Sequence, residues 1–250
     1  MNSSIFTGCN HSRSRCFGLT LGMTLVLGSC AAPETALNPT NSKALSAASS
    51  ASSPAALDVL KYVDPFIATG GHGHTFPGAV VPFGMVQLSP DNPSKGWDWT
   101  SGYHYSDNVL IGFSHTHLSG TGVGDLLDIL LMPLQGDYEA QQKNQHKRPF
   151  AIYDHADEQA SPGYYRTELT KYNTTAEVTS TLRSGRSRFT FPAGQANILL
   201  NLGLGLTNES GGSLQINSAT EVQGSRTIGT FCYHSEQARP VYFVARFNKP

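Results

Sequence analysis

After Pro162-Gly163 the chain falls into a rhythm that suits strands and few other structures. Residues 164–170 alternate apolar and polar, 171–174 read as a turn, and 176–182 alternate again. Ser184-Gly185 turns, and Arg188-Phe189-Thr190-Phe191 runs to a stop at Pro192. Residues 197–202 (NILLNL) read as a core strand, 203–212 as a loop and 241–247 as a last alternating strand. Successive side chains of a strand point to opposite faces, so this alternation builds sheets with one apolar face each. Short strands at near-regular spacing, almost no helical period and no internal repeat predict an all-β fold, an antiparallel β-sandwich.

Upstream lies a stretch of different character, residues 62–133. It holds both tryptophans, most of the histidines and much of the glycine. Glycine admits backbone conformations with positive φ and close backbone approach. Histidine and tryptophan put polar tips on flat rings. The combination predicts a surface of loops that holds a small polar ligand, most naturally a sugar. Within it Val80-Val81 and residues 85–88 are short apolar runs between Pro and Gly, and 126–132 (LLDILLM) reads as a buried strand or a short core helix. Residues 135–149 are polar without period and read as an exposed loop.

Several blocks of that stretch stand in an order that resembles a known family. They are Val63-Asp64-Pro65-Phe66-Ile67, Gly70-Gly71-His72-Gly73-His74-Thr75-Phe76-Pro77-Gly78-Ala79, Pro82-Phe83-Gly84-Met85, Ser101-Gly102-Tyr103-His104-Tyr105, residues 112–122 and Ser161-Pro162-Gly163-Tyr164-Tyr165. Together they resemble the start of glycoside hydrolase family 92, the exo-acting α-mannosidases, over roughly residues 58–250. The resemblance implies a galactose-mutarotase-like supersandwich, incomplete at its C-terminal side, with the family's helical catalytic domain absent from this chain. It also implies calcium-dependent, inverting removal of terminal mannose from glycans, with acid, base and calcium ligands in that helical domain. No catalytic and no metal residue is carried over to this chain on that account. The sandwich loops are expected at the rim of the pocket, where Trp97, Trp99, His115 and His117 are the candidates for substrate contact. A free-standing carbohydrate-binding surface lipoprotein without hydrolase activity is the alternative, and a purely structural module is a third.

Read on their own, these residues keep other meanings open. His72 with His74 and His115 with His117 are i, i+2 pairs, which share a side on extended backbone. Facing pairs would suit zinc; imidazoles that brace loop backbone would satisfy the same pattern. Trp97 and Trp99, also i, i+2, are expected to turn at least one ring to the ligand. The run Gly70-Gly71-x-Gly73 lacks the Lys-Ser/Thr ending of a phosphate loop, and neither Ser101 nor Ser119 sits in a nucleophile elbow. Glycoside hydrolysis calls for a carboxyl pair, roughly 5–9.5 Å apart. Asp64, Asp91, Asp98, Asp107, Asp125 and Asp128 are the carboxylates on offer. Asp64 and Asp91 read as turn residues, and Asp125 and Asp128 as residues flanking a core segment that cap it or satisfy backbone donors.

The front of the chain predicts export. His11, Arg13 and Arg15 form a basic start, residues 17–27 are apolar, and Leu27-Gly28-Ser29-Cys30 has the form of a lipobox. Residues 1–29 are then a signal, Cys30 carries lipid, and 30–57 form an Ala/Ser-rich tether with Pro33, Pro39 and Pro54. Ala31 after the cysteine resembles lipoproteins sorted to an outer membrane or cell surface. Removing the signal leaves Cys232 as the one unmodified cysteine, so no internal disulfide forms. It also takes Arg13 and Arg15 and no acid, moving the net charge from −1 to −3. That balance excludes electrostatic capture of nucleic acid. Residues 247–250 follow the last strand without a protective turn, as expected where a sandwich continues.

Overall fold

The computed structural model describes residues 58–250 apart from 121, 125, 140–147, 207–210 and 231–233. The predicted signal, tether and lipidated Cys30 lie outside the described residues, as do Thr121, Asp125 and Cys232. Among the described residues no helix is long and apolar enough to cross a membrane.

Fourteen strands are described: β1 (Ala79–Val80), β2 (Gln87–Asp91), β3 (Val109–Leu110), β4 (Gly112–Ser114), β5 (Leu130–Gln135), β6 (Ala151–Ile152), β7 (Gln159–Ser161), β8 (Tyr164–Leu169), β9 (Thr174–Ser180), β10 (Gly185–Thr190), β11 (Ala196–Asn201), β12 (Gly211–Ser218), β13 (Glu221–Thr230) and β14 (His234–Arg246). One sheet runs β1-β2-β4-β5-β11 and a second β10-β9-β8-β7. A three-stranded sheet β12-β13-β14 and a β3-β6 ribbon complete the set, and every pairing is antiparallel.

The alternation read in the sequence decides which faces meet. In β8 Tyr165, Thr167 and Leu169 point inward, and in β9 Thr174, Ala176, Val178 and Ser180 do. They pack on Ala79, Leu88, Phe113, Met132 and Leu134 of the five-stranded sheet, making one core between two sheets. Ser180 Oγ donates to the Ala79 carbonyl at 2.9 Å, a direct bond across that core. Turns fall where punctuation placed them: Gly163 takes φ +81 in the β7–β8 hairpin, and Asn173 takes φ +47 after the turn Thr170–Tyr172. The fold is thus the antiparallel sandwich the spacing predicts.

Three readings need correction. The run 126–132 is neither wholly strand nor helix. Leu126, Leu127 and Ile129 take positive φ, and the strand begins only at Leu130. That backbone is uncommon for branched residues. It is held by Leu127 N–H to the Thr116 carbonyl, Asp128 N–H to Thr116 Oγ1 and His115 N–H to the Asp128 carbonyl. The last strand is also longer than predicted, reaching back to His234. And β12 with β13 was not legible, because Ser213, Gln215, Gln223 and Ser225 give those strands polar faces.

A buried ionic contact joins the first sheet to the loops beside it. Asp91, at the end of β2, accepts from Ser114 N–H at 2.9 Å and meets His117 Nε2 at 2.8 Å, both side chains wholly buried. His117 Nδ1 donates to the Gln87 carbonyl at 2.7 Å. With acceptors at both ring nitrogens, the imidazole carries a proton on each and pairs with the carboxylate. Gly102, at φ +87, passes so close that a Cβ there would meet Asp91 Oδ1 at 2.6 Å. Arg226 of β13 is buried against Asp128, Nε to Oδ1 3.1 Å, and ties the three-stranded sheet to the segment before β5.

Removing one member of a buried pair leaves the other charge uncompensated, at about 3–5 kcal/mol. We therefore expect Asp91→Ala to lose about that much in chemical denaturation. An exposed control such as Arg183→Ala is expected within about 0.5 kcal/mol of the parent. A loss below 1 kcal/mol at Asp91 would show that the pair is not holding the sheet.

Candidate functional site

Two rings and a carboxylate stand together on the surface around Trp97. The turn Trp97–Trp99 is a 3₁₀ turn opened by Gly96. Trp97 keeps more than half of its surface exposed (58%), yet its ring is fixed. Its Nε1 donates to the Gly122 carbonyl at 2.6 Å, His74 meets it edge-on at 4.3 Å between centroids, and His72 leans on it at 5.4 Å. Gly122 has to be small: a Cβ there would come to 3.1 Å from both the Trp97 and His74 rings.

Asp98 completes the cluster. Its Oδ1 lies 2.6 Å from His72 Nδ1 and 3.7 Å from His74 Nε2. The hydrogen bond from His72 is the main cause holding the Asp98 carboxyl below the ordinary carboxylate range, with the nearby imidazoles adding to it. His74 is buried, and its Nε2 has no hydrogen-bond partner among the described residues. An exposed, fixed indole beside a carboxylate is a set of groups suited to a ligand's C–H face and its adjoining hydroxyl.

The predicted residues divide. Trp97 and Trp99 do not turn their rings to one side, because a 3₁₀ turn rotates i and i+2 by about 240° rather than stacking them. Trp99 is half-buried, stacked on His104 at 4.3 Å, with Lys95 Nζ 5.5 Å from its ring and its Nε1 donating to Asp107 Oδ2 at 3.2 Å. His115 donates from Nδ1 to the Ile129 carbonyl at 2.7 Å, and burial lowers its pKa. His117 is wholly buried with both nitrogens engaged, so it offers a sugar nothing; it braces β2. The pair that does converge is His72 with His74, through Asp98 and Trp97. The two pairs do not meet as a zinc site: among the described residues no group of three His, Cys, Asp or Glu side chains is arranged to hold a metal.

The carboxylates are committed. Asp64 is the turn residue expected, accepting Phe66 N–H at 2.9 Å. Asp91 is not a turn residue but the buried partner of His117. Asp107 takes Lys95 at 2.7 Å, Trp99 and Val109 N–H. Asp128 takes Arg226 and Thr116 Oγ1. Sequence reading missed His104, whose Nε2 donates to the Gly71 carbonyl at 3.2 Å while Nδ1 accepts from Ser106 N–H. It also missed the joining of His72 to Asp98, 26 positions apart. No local spacing signals either contact.

With this geometry in place, the likeness to known proteins is specific. Residues 62–250 match the model of the glycosyl hydrolase family 92 N-terminal domain. A secreted, uncharacterized glycosidase of Arthroderma benhamiae is 32% identical over 174 residues, 68% of this chain and 21% of the relative. The family GH92 α-mannosidase BT3965 of Bacteroides thetaiotaomicron, solved in complex with mannoimidazole, is 38% identical with a TM-score of 0.67, covering 76% of this chain and 25% of that one. The GH92 glycosyl hydrolase ccman5 is 25% identical with a TM-score of 0.62, covering 77% and 27%. The chain spans about a quarter of the length of these relatives.

The cluster makes one electrostatic prediction. A carboxyl whose folded pKa is depressed contributes stability that is complete above its ordinary pKa and is lost as pH falls through the lowered one. His72→Ala removes the largest cause of that depression at Asp98. Carboxyl NMR is expected to show the Asp98 midpoint rising toward the ordinary carboxylate range in the variant. An unmoved midpoint would mean that His72 does not hold Asp98.

Proposed function

The chain belongs to glycosyl hydrolase family 92 through its N-terminal domain, and we propose that it forms the sugar-contacting rim of an α-mannosidase that trims terminal mannose from glycans. The observation that carries this is Trp97: an indole left open to solvent yet fixed by Gly122, His72 and His74. Sugars present an apolar C–H face that packs on such a ring, while the Asp98 carboxylate accepts hydrogen bonds from the adjoining hydroxyls. The relative solved with mannoimidazole supports mannose as the sugar.

The division of labour follows from the carboxylates. Asp91, Asp107 and Asp128 are buried, and each is engaged by its own partner, His117, Lys95 and Arg226 in turn, rather than turned with another carboxylate to one shared opening. We place the catalytic acid and base in the part of the family that lies beyond the matched quarter. Calcium, which the family resemblance implies, prefers six to eight oxygen ligands. The described carboxylates are spread among separate partners and do not fit such a cage, so we place the calcium ligands with the catalytic pair. The basic start, apolar run and Leu27-Gly28-Ser29-Cys30 agree with a relative named as secreted, and we read this chain as exported and lipid-anchored through Cys30.

The full chain, purified, is expected to bind methyl α-mannoside in the millimolar range and to turn over no α-mannobiose. Trp97→Ala is expected to weaken binding at least tenfold while the melting temperature stays within a few degrees. Turnover of α-mannobiose would overturn the division of labour. Wild-type affinity in Trp97→Ala would overturn the role given to the indole, and no binding at all would leave a structural module.

A further inference from the structure

A second cavity, of about 320 Å³, opens beside the same glycine loop and takes no part in the Trp97 cluster. Asp64, Phe66, Thr69, Gly70, Tyr105 and His155 line it. Its walls are held from behind. Tyr105 N–H donates to the Thr69 carbonyl at 2.8 Å, and Thr69 Oγ1 donates to the Phe66 carbonyl at 2.8 Å. Phe66 and Tyr105 meet edge-to-face at 6.0 Å, and Tyr105 stacks on His155 at 4.2 Å with the rings 18° apart. Tyr105 nevertheless stays 45% exposed.

The polar side is equally built. His155 Nδ1 is hydrogen-bonded to Glu158, a buried carboxylate that also accepts from Tyr103 Oη at 3.0 Å and Tyr165 Oη at 2.6 Å. Burial raises the pKa of both phenols, so they keep their protons and remain donors. A carboxylate takes the proton side of an imidazole. Nδ1 is therefore the donor to Glu158, and Nε2 is left for a partner in the cavity that the ring lines. Across from it Asp64 spends Oδ1 on Phe66 N–H and keeps its second oxygen. A carboxylate, an aromatic pair and an imidazole set from behind by the buried Glu158 with Tyr103 and Tyr165 are more than a loop needs to hold its shape.

We propose that this cavity is a second monosaccharide subsite, taking one neutral pyranose with its C–H face against Tyr105 and Phe66 and its hydroxyls on Asp64 and His155 Nε2. The volume is at the small end of ligand pockets, roughly 300–1,000 Å³, and suits one sugar ring rather than a chain. The cavity and the Trp97 cluster share a support: His104 stacks on Trp99 and holds Gly71, and its neighbours in sequence and loop, Tyr105 and Gly70, line the cavity. Two sugar sites on one loop would let the domain hold two residues of a branched glycan. The identity of the sugar as mannose rests on the function proposed above; the site itself does not.

The test titrates methyl α-mannoside into the purified full chain by calorimetry, comparing the parent with Tyr105→Ala, Asp64→Asn and Trp97→Ala. Asp64→Asn keeps the oxygen that accepts Phe66 N–H and removes the charge, so it probes the cavity even where Tyr105→Ala destabilises the fold. Two binding events are expected. One weakens tenfold or more in both cavity variants and persists in Trp97→Ala, and the other does the reverse. A parent-like isotherm in Asp64→Asn and in folded Tyr105→Ala, with binding lost only in Trp97→Ala, overturns the second subsite and leaves the Trp97 reading intact. Loss confined to the cavity variants supports the subsite and overturns the Trp97 reading. Binding of tetramethylammonium with no response to any sugar overturns the proposal, since it would mark the rings as a cation cage.

Discussion

The contact between Asp91 and His117 is the constraint from which the geometry of the loops descends. Both side chains are wholly buried, and the imidazole also donates to the Gln87 carbonyl on β2. The carboxylate in turn fixes Ser114 at the end of β4. Gly102 can pass beside them only because it has no side chain, and Asn92 N–H donates to the Gly102 carbonyl at 2.7 Å. From there Asn92 Oδ1 accepts His104 N–H at 2.7 Å, and His104 supports Trp99 and Gly71. An interaction among the first sheet's strands is thus transmitted, bond by bond, to the loop that carries His72 and His74. A buried charge pair contributes little net stability against an apolar alternative of the same volume. Its use here is geometric: it admits one arrangement of the strands and loops around it.

How much of this was legible follows the range of the forces. The meander from β8 to β10 was readable because its cues are local: Pro162-Gly163, Asn173 and an alternation that sets Tyr165, Leu169, Ala176 and Val178 facing the core. The polar pair β12 and β13 was not, since strands whose faces carry Ser and Gln lack the apolar alternation that sequence reading depends on. They pair as a hairpin, from Gly211 with Thr227 to Ser218 with Glu221, and Arg226 anchors that hairpin on Asp128. At the site, residue types were informative and spacing was misleading. Extended backbone would have put Trp97 beside Trp99; the 3₁₀ turn separated them. His117 has the composition of a ligand contact and the environment of a core residue, and only the fold distinguishes the two.

The carboxylates also show why family-level likeness and site-level chemistry answer different questions. Six aspartates in the loop-rich stretch would be ample for glycoside hydrolysis if any two faced a common substrate. Instead Asp91, Asp107 and Asp128 each meet a cation and backbone or hydroxyl donors, and Asp64 closes a turn. A buried carboxyl whose oxygens are taken by such partners is placed to hold structure rather than to meet a substrate. Asp98 is part-exposed beside the exposed His72 and the buried His74. Even there the bond from His72 favours the anion, suiting it to accept a hydroxyl rather than donate a proton.

That distinction gives the Trp97 cluster its physical sense. An exposed tryptophan is costly to water and, if free to rotate, costly again to order when a ligand arrives, about 0.5–1.5 kcal/mol for an immobilised side chain. Here the ordering is completed during folding. Nε1 is tied to Gly122, His74 is set edge-on by a backbone at φ +53, and Gly120 N–H secures the His74 carbonyl at 2.6 Å. The left-handed backbone at a non-glycine residue costs of order 1–3 kcal/mol, which persists only where the surroundings over-determine it. What the strain secures is a flat apolar face and a carboxylate, in fixed relation before any ligand is present. Sugars bind weakly because water competes for every hydroxyl; a surface whose own entropy is already spent is one on which such a ligand's small gain is not lost again.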